Sequence, residues 1–372
     1  MRSSRRIAPL GVMAAALLIA VACGGSPPGS AAPTTGAASA KSAADMGGMT
    51  ALVKAAKKEG TLNVIALPPD WANYGAIISG FTAKYGIAIN SANPNGSSQD
   101  EVTAVQQLKG TDRAPDVLDI GMAVALANTD LFTPYKVGTW NDILATQKES
   151  TGLWYQDYGG YMSIGYDSAK VPTISSLQDL TQPAFKGKVA LNGDPTKANA
   201  ALNGVMMASL ASGGSLDNIG PGVDFFHKLN QLGNFAPVQA TTATVKNGTT
   251  PVVFDWDYLS AAHGKDVPTW KVFVPPNAIL GGYYAQAIVK GAPHPAAARL
   301  WEEYLYSNTG QNLWLKGLAR PVRMSSMQSA GTIDRAAAAA LPPVKGKPVF
   351  LSPDQATAAS AYLASHWAAA IG

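Results

Sequence analysis

The sequence predicts an α/β protein built of two lobes, and three observations support this prediction. The chain has 372 residues, which is large for one hydrophobic core and small for three ordinary domains. Hydrophobic residues make up 47% of the chain and charged residues 14%, a balance that excludes a disordered or coiled-coil protein. Residues 62–121 alternate strand and helix patterns in the order β-α-β-α-β, which predicts a parallel sheet with helices on both faces.

The predicted elements of the first half follow from apolar spacing and from cap residues. A helix begins at Thr50 and ends at Gly60, a typical stop residue. The next helix carries apolar residues every three or four positions, and a later one begins with a capping box of Ser98 and Glu101. The predicted strands are residues 62–67, 87–91 and 116–121.

The second half repeats this style without any internal repeat of solenoid length. A helix rich in alanine and methionine begins near residue 196, and an amphipathic helix runs through residues 300–305. The run of alanines over residues 336–340 is a helix or a linker. The predicted strands are residues 187–192, 251–254 and 284–290.

The first 22 residues have the pattern of an export signal. Arg2, Arg5 and Arg6 precede an apolar stretch over residues 7–21, which is shorter than the roughly 20 residues of a membrane span. Small residues then precede Cys23, which resembles the lipobox of bacterial lipoproteins, where a diacylglycerol is attached to the cysteine. We expect a lipoprotein signal peptide over residues 1–22 and lipidation of Cys23; an ordinary secretory signal is the alternative.

Residues 23–49 are expected to form a flexible tether. The segment after Cys23 is rich in Gly, Ser, Ala, Pro and Thr and lacks aromatic residues. No later segment has the pattern of a membrane span. The sequence therefore predicts an extracytoplasmic body that is attached to the cell membrane by its lipid.

The charge balance gives no indication of a nucleic-acid partner. Lys and Arg number 28 against 24 Asp and Glu, a net charge of +4. Without the three arginines of the leader the balance is 25 against 24, or +1, so the body has no strongly basic surface. The chain has one cysteine, which excludes an intramolecular disulfide.

The motifs of metal, nucleotide and nucleophilic chemistry are missing from the sequence. The four histidines stand apart, and none has a second His or Cys at ligand spacing. There is no G-x-S-x-G elbow, P-loop, Rossmann glycine motif or EF-hand series. Asp255 and Asp257 could form a hydrolase pair, although such pairs usually come from separate elements. We therefore predict a binding protein with no catalytic residue, metal or cofactor, and keep a secreted hydrolase as the least favoured alternative.

Four segments resemble the extracellular solute-binding proteins of bacterial ABC importers, and the ferric-iron, polyamine and thiamine binders are the most similar. They occur in the order that the family shows and cover most of residues 60–323. In one-letter code they are APDVLD at 114–119, GYD at 165–167, LQDL with PAFKGKVA at 177–190, and APHPAAA leading to WEEYLYS and GQ at 292–311.

The resemblance implies a two-lobe periplasmic-binding-protein clamshell of type II, each lobe a mixed, mostly parallel sheet flanked by helices. It implies a first lobe of residues 50–162 with residues 283–302 returning to it, and a second lobe of residues 163–282 with residues 303–372. A small solute would bind in the cleft between the lobes. The protein would act as a monomer that delivers this solute to an ABC permease.

Ligands of open α/β lobes bind at the carboxyl ends of strands, and this rule selects the candidate ligand-binding residues. They are polar or aromatic residues that follow a predicted strand: Asp70, Trp71, Tyr74, Ser97, Ser98, Asp255, Trp256, Asp257, Tyr258, Tyr283 and Tyr284. Core packing is the alternative for Tyr74 and Tyr283.

The charge of the ligand is predicted from the same residues. Aspartates pair with ammonium groups, and the faces of indole and phenol rings attract cations. The polyamine binders carry a tryptophan in the segment that matches Trp256 but an aspartate where this chain has Tyr284. The ferric-iron binders carry adjacent tyrosines where this chain retains Tyr258 alone. We rank a small, polyamine-like organic cation first, ferric iron second, and an anionic or zwitterionic organic solute third.

Overall fold

Residues 36–372 are described by the computed structural model. The predicted signal peptide and Cys23 lie outside the described residues. The strands are β1 Thr61–Ile65, β2 Ala88–Ala92, β3 Val117–Gly121, β4 Phe132–Thr133, β5 Tyr155–Asp167, β6 Val189–Leu191, β7 Val252–Trp256, β8 Trp270–Phe273, β9 Leu280–Val289, β10 Arg320–Pro321 and β11 Val349–Phe350.

The α-helices alternate with these strands, as the patterns predict, and short 3-10 turns occupy several of the connections. They are α1 Met49–Glu59, α2 Tyr74–Tyr85, α3 Ser98–Gln107, α4 Met122–Ala127, α5 Asn199–Ala211, α6 Gly220–Gln231, α7 Thr242–Asn247, α8 Asp257–His263, α9 Pro295–Leu305, α10 Asn308–Lys316, α11 Met324–Ser329, α12 Arg335–Ala339 and α13 Pro353–Ile371. Between residues 36 and 372, no helix is both long and apolar enough to cross a membrane.

The long strand β5 connects the two halves of the sheet. Its first half, from Tyr155 to Tyr161, is antiparallel to β9. From Met162 onward β5 changes partner and lies between β7 and β8, with β6 parallel to β7 at the far edge. The α/β class and the two-lobe fold are thus confirmed, with β5 crossing from the first lobe into the second.

The expectation that each sheet is mostly parallel is wrong. Among the described strands, β1 with β2, β6 with β7 and β9 with β11 are the parallel pairs. The other six pairs are antiparallel, and all of them involve β5 or β9. The β-α-β order predicts only how consecutive strands pair, whereas β5 and β9 enter their sheets from a different lobe and run against their neighbours.

The C-terminal helices divide between the lobes, whereas residues 303–372 were all expected in the second lobe. Helix α10 packs against α2 and α9, and β10 pairs with β5 at Tyr158 and Gly159, all on the first-lobe side. Helix α13 packs along α5 and α6 of the second lobe, and it also contacts α4. The pattern of an amphipathic helix predicts that the helix packs on an apolar surface. Because both lobes offer such a surface, the pattern does not predict which lobe the helix joins.

Part of the segment predicted as a flexible tether is folded in the structure. Residues 36–48 pack on the first lobe, where Ala40 is fully buried. The buried Arg299 guanidinium donates to the carbonyl oxygens of Ala40 at 2.8 Å and Ala38 at 3.1 Å. The backbone N–H of Lys136 donates to the Lys41 carbonyl at 2.8 Å. The prediction of a flexible segment used side-chain composition. The contacts with Arg299 are made by backbone carbonyls, which can accept hydrogen bonds whatever the side chains are.

Candidate functional site

A cleft of about 530 Å³ lies where strands of both lobes end. This volume is typical of small-molecule sites. We call it the interlobe cleft, because its wall comes from both sides of the crossing strand. Side chains that line it include Asp70, Trp71, Ser97, Ser98, Asp119 and Tyr284 from the first lobe, and Asn192, Lys197, Asp255 and His263 from the second.

Trp71 forms the aromatic wall of the interlobe cleft on the first-lobe side. It follows β1 through a Pro-Pro turn and is half-buried. Its indole N–H donates to the Tyr158 hydroxyl at 2.7 Å, and its ring meets that of Tyr284 edge-on at 5.8 Å. These contacts fix the indole at the cleft. Asp70 beside it is exposed and also lines the cleft.

Asp119, the central residue of β3, lies at the floor of the cleft. Only 7% of Asp119 is exposed. Its Oδ2 accepts hydrogen bonds from the hydroxyls of Tyr158 at 2.7 Å and Tyr74 at 2.8 Å. Burial raises the pKa of Asp119 to about 7, although both hydroxyls favour its ionised form. The pKa of Asp119 is therefore well above that of an exposed aspartate.

The first turn of α3 borders the cleft, but its cap is already occupied. Ser97, rather than the predicted Ser98, is the N-cap, and its partner in the capping box is Asp100. The Asp100 carboxylate accepts from the Ser97 backbone N–H and hydroxyl, both at 2.8 Å. The Ser98 hydroxyl accepts from the Gly121 N–H at 2.9 Å. Both serines line the cleft, but the carboxylate of Asp100 already neutralises this helix N-terminus.

Asp255 is the carboxylate of the second-lobe wall. It is 3% exposed, and its Oδ1 accepts from the backbone N–H of Trp256 at 2.8 Å. Its Oδ2 accepts from the Asn192 side-chain amide at 2.8 Å. Burial raises the pKa of Asp255 to about 7. Hydrogen bonds with neutral groups hold this carboxyl, and no cation pairs with it among the described residues.

Asp257 was predicted to share the cleft with Asp255, and this prediction is wrong. Asp257 is fully buried, and its Oδ2 accepts from Arg320 at 2.8 Å. Its Oδ1 accepts from the Tyr161 backbone N–H at 2.9 Å. The reason is that β7 ends at Trp256 and α8 begins at Asp257, so the chain turns between the two aspartates and directs them to different places.

Four of the predicted aromatic residues lie away from the cleft surface. Tyr74, Trp256 and Tyr258 are fully buried, and Trp256 stacks on Tyr258 with ring centroids 6.3 Å apart. Tyr283 stacks on Phe350 at 6.2 Å, outside the cleft. Adjacent strand residues point to opposite faces, so of the Tyr283-Tyr284 pair only Tyr284 reaches the cleft. Large aromatic rings bury more apolar area in the core than at a polar cleft, which explains the other three.

The sequence prediction missed several polar residues of the cleft, and Asp119, Asn192 and His263 are among them. Asp119 lies in a continuous buried strand, Asn192 follows β6, and His263 ends α8. Asp119 and Asn192 both fit the rule that selected the other candidates, since each is at or near the carboxyl end of a strand. No sequence signal indicates His263, because α8 brings it to the cleft from seven residues beyond the strand.

The matching family is described as "Bacterial extracellular solute-binding protein", and its model covers residues 115–345 of the chain. The chain belongs to this family. The resemblance of the four segments is thus confirmed, and with it an extracytoplasmic solute-binding protein. None of the curated protein sequences compared matches the chain.

Solved structures of similar fold come from binding proteins for unlike solutes. Iron-bound HitA of Pseudomonas aeruginosa is 20% identical, with a TM-score of 0.59 over 82% of this chain and 97% of its own. AfuA of Actinobacillus pleuropneumoniae, bound to fructose-6-phosphate, is 17% identical, with a TM-score of 0.63 over 84% and 98%. A putative spermidine/putrescine ABC transporter protein of Listeria monocytogenes is 12% identical, with a TM-score of 0.58 over 75% and 88%. These similarities show the type II fold and leave the solute to the chemistry of the cleft.

Proposed function

We propose that this protein captures a small, polyamine-like organic cation in the interlobe cleft and delivers it to an ABC permease. The observation that carries the proposal is that the buried carboxyl groups Asp119 and Asp255, one from each lobe, line the cleft and have no cationic partner among the described residues. The basic residues of the described lining are Lys197 and His263. Lys197 is exposed and lies 3.8 Å from Asp194. Burial lowers the pKa of His263, which favours the neutral ring.

A bound cation would supply the charge that this site lacks. An unpaired carboxylate in a dry site is costly, and a cation that binds between two of them offsets that cost. The ring of Trp71, which lines the same cleft, adds a cation–π surface worth about 0.5–2 kcal/mol. Both features favour an ammonium group.

The geometry gives less support to the other ligands considered. An anion would need a free helix N-terminus, and Asp100 already caps α3. Ferric iron would need phenolates, but burial raises the pKa values of Tyr258 and Tyr284. Within residues 36–372, no three His, Cys, Asp or Glu side chains are placed to hold a metal ion. A hydrolase would need Asp255 and Asp257 together, and Asp257 is paired with Arg320.

A thermal-shift screen tests the proposed ligand class. The panel would contain putrescine, spermidine, choline, thiamine, amino acids, sugars, sugar phosphates and ferric citrate. A ligand at 100 times its Kd stabilises the folded protein by about 2.7 kcal/mol, so a true ligand raises the melting temperature clearly. We expect amines to give the largest shifts at pH 8. A larger shift with a sugar phosphate or ferric citrate would reject the cation. Hydrolysis of a panel compound that Asp255→Asn abolishes would favour an enzyme.

The transport role rests on closure of the two lobes. A solute that contacts Asp119 in one lobe and Asp255 in the other does so fully only when the lobes are closed, so binding favours the closed state. We infer that the permease recognises this closed monomer. A lipid tether would keep the protein near the permease and raise its effective concentration there.

We expect the mature protein to begin at a lipidated Cys23 and to partition with membranes. The motivation is the lipobox-like sequence before Cys23 and the apolar stretch ahead of it. Mass spectrometry of the N-terminal peptide from the native host measures both the cleavage site and the added lipid mass. An unmodified cysteine, or cleavage at another residue, would show that the leader is an ordinary secretory signal.

A further inference from the structure

Asp119 is one end of a buried hydrogen-bond network beneath the cleft. Tyr74 donates to Asp119 and accepts from the Gln286 amide at 3.2 Å. The same amide donates to Asp157 Oδ2 at 2.8 Å. The Tyr158 N–H donates to Asp157 Oδ1 at 2.6 Å, while the Tyr158 hydroxyl donates to Asp119. Asp119 of β3 and Asp157 of β5 are thus linked directly by Tyr158, which donates to both, and indirectly through Tyr74 and Gln286.

The free oxygen of Asp119 indicates that this network holds a proton. Asp119 Oδ1 is buried and has no donor among the described residues. The neighbouring Asp157 carboxyl can bond it only if one of the two acids carries a proton. Burial, followed by the charge of Asp119, raises the pKa of Asp157 well above its usual value. Asp157 therefore stays protonated at the pH at which Asp119 ionises. At lower pH both acids carry a proton.

The surroundings of Asp119 offer no positive charge. Its titratable neighbours are acids and phenols from every packed element: Tyr74 of α2, Glu101 of α3, Asp157 and Tyr158 of β5, Tyr258 of α8, Tyr284 of β9 and Glu302 of α9. Glu101 accepts from the backbone N–H of Asp119 at 3.1 Å. Asp119 is the acid of this group that belongs to the residues lining the cleft and also has a carboxyl oxygen without a donor among the described residues.

We propose that Asp119 is the first-lobe carboxylate of the ligand site, and that capture of the cation expels the proton that Asp119 holds in the empty cleft. This inference rests on the proposed cation-binding function and extends it. Asp255 contacts the cation from the second lobe, so the two lobes close around one positive group with one carboxylate each. Release of the solute is then favoured wherever the local pH falls below neutral.

The expected pH dependence follows from linkage. Asp119 and Asp255 each have a pKa near 7 in the empty cleft, and the cation binds their ionised forms. Affinity therefore rises with pH up to about 8 and changes little above it. At pH 6 each acid is about 90% protonated, so binding releases about two protons. Below pH 6, each further drop of one pH unit should therefore raise Kd by up to about 100-fold.

Isothermal titration calorimetry in two buffers of different ionisation enthalpy counts the released protons. The titrant is the panel amine that binds most tightly. At pH 6 we expect about two protons for the parent and about one for Asp119→Asn, and close to none for either at pH 8.5. Glu302→Gln is the matched control, since Glu302 is buried nearby but does not line the cleft, and it should match the parent.

A second variant keeps the test valid if Asp119→Asn does not fold. Tyr74→Phe removes one hydroxyl that stabilises ionised Asp119, so the midpoint of the pH–affinity curve should move upward. Equal proton release by the parent and Asp119→Asn, or an unmoved midpoint in Tyr74→Phe, overturns this inference and leaves cation binding intact. A panel in which no amine binds overturns both the proposed function and this inference.

Discussion

Asp255→Asn should weaken amine binding by about 30- to 4,000-fold at pH 8, which corresponds to about 2–5 kcal/mol. The physical reason is that a cation would lose its second-lobe carboxylate in a largely dry cleft, while the rest of the site stays in place. Trp71→Ala should weaken binding less, by about 0.5–2 kcal/mol, because a cation–π contact is weaker than a buried charge pair.

The fold should tolerate Asp255→Asn. The asparagine oxygen can still accept from the Trp256 N–H, and rotation of the Asn192 amide presents its oxygen to the new amide group. Burial raises the pKa of Asp255 to about 7, so its contribution to stability is present at acid pH and is lost as pH rises through about 7. Without a bound ligand, the Asp255→Asn variant should therefore be at least as stable as the parent at pH 8. Unchanged amine affinity in a folded variant would reject Asp255 as a ligand carboxylate.

Asp257→Asn should lower the free energy of unfolding by about 3–5 kcal/mol while changing amine affinity little. The substitution leaves the Arg320 guanidinium, 13% exposed, without its carboxylate and places an amide N–H group against it. Arg320 retains only its bond to the Pro342 carbonyl at 2.7 Å and its position over the Tyr161 ring. Chemical denaturation measures the loss of stability, and calorimetry at pH 8 measures the affinity.

The double variant Asp257→Asn with Arg320→Gln is the control for that prediction. If the loss arises from an uncompensated buried charge, removal of the arginine should restore part of the stability lost in Asp257→Asn. Loss of amine binding in Asp257→Asn without loss of stability would instead identify Asp257 as the ligand carboxylate. The two aspartates, two positions apart in sequence, are thus expected to give opposite results.

The sequence alone was sufficient for the family and for the position of the cleft. Four short segments in a fixed order identified the solute-binding proteins, and the α/β pattern gave the two-lobe fold. The rule that ligands lie at the carboxyl ends of strands selected Trp71 and Asp255, which line the cleft in the structure. These inferences succeed because they depend on local pattern and on the direction of a strand.

The tertiary structure decided which of the candidate carboxylates faces the cleft. Alternate residues of a strand share one face, so Asp255 and Asp257 would have lain side by side if β7 had continued. Helix α8 begins at Asp257 instead, and its carboxylate meets Arg320, a residue 63 positions later in the chain. The sequence prediction did not include Asp119, which lies in a buried strand, and only the packing of Tyr74 and Tyr158 around one of its oxygens shows a polar site there. A sequence pattern predicts which residues are buried but not which distant partner each of them contacts. Those partners determine which carboxyl groups of the cleft remain without a cation.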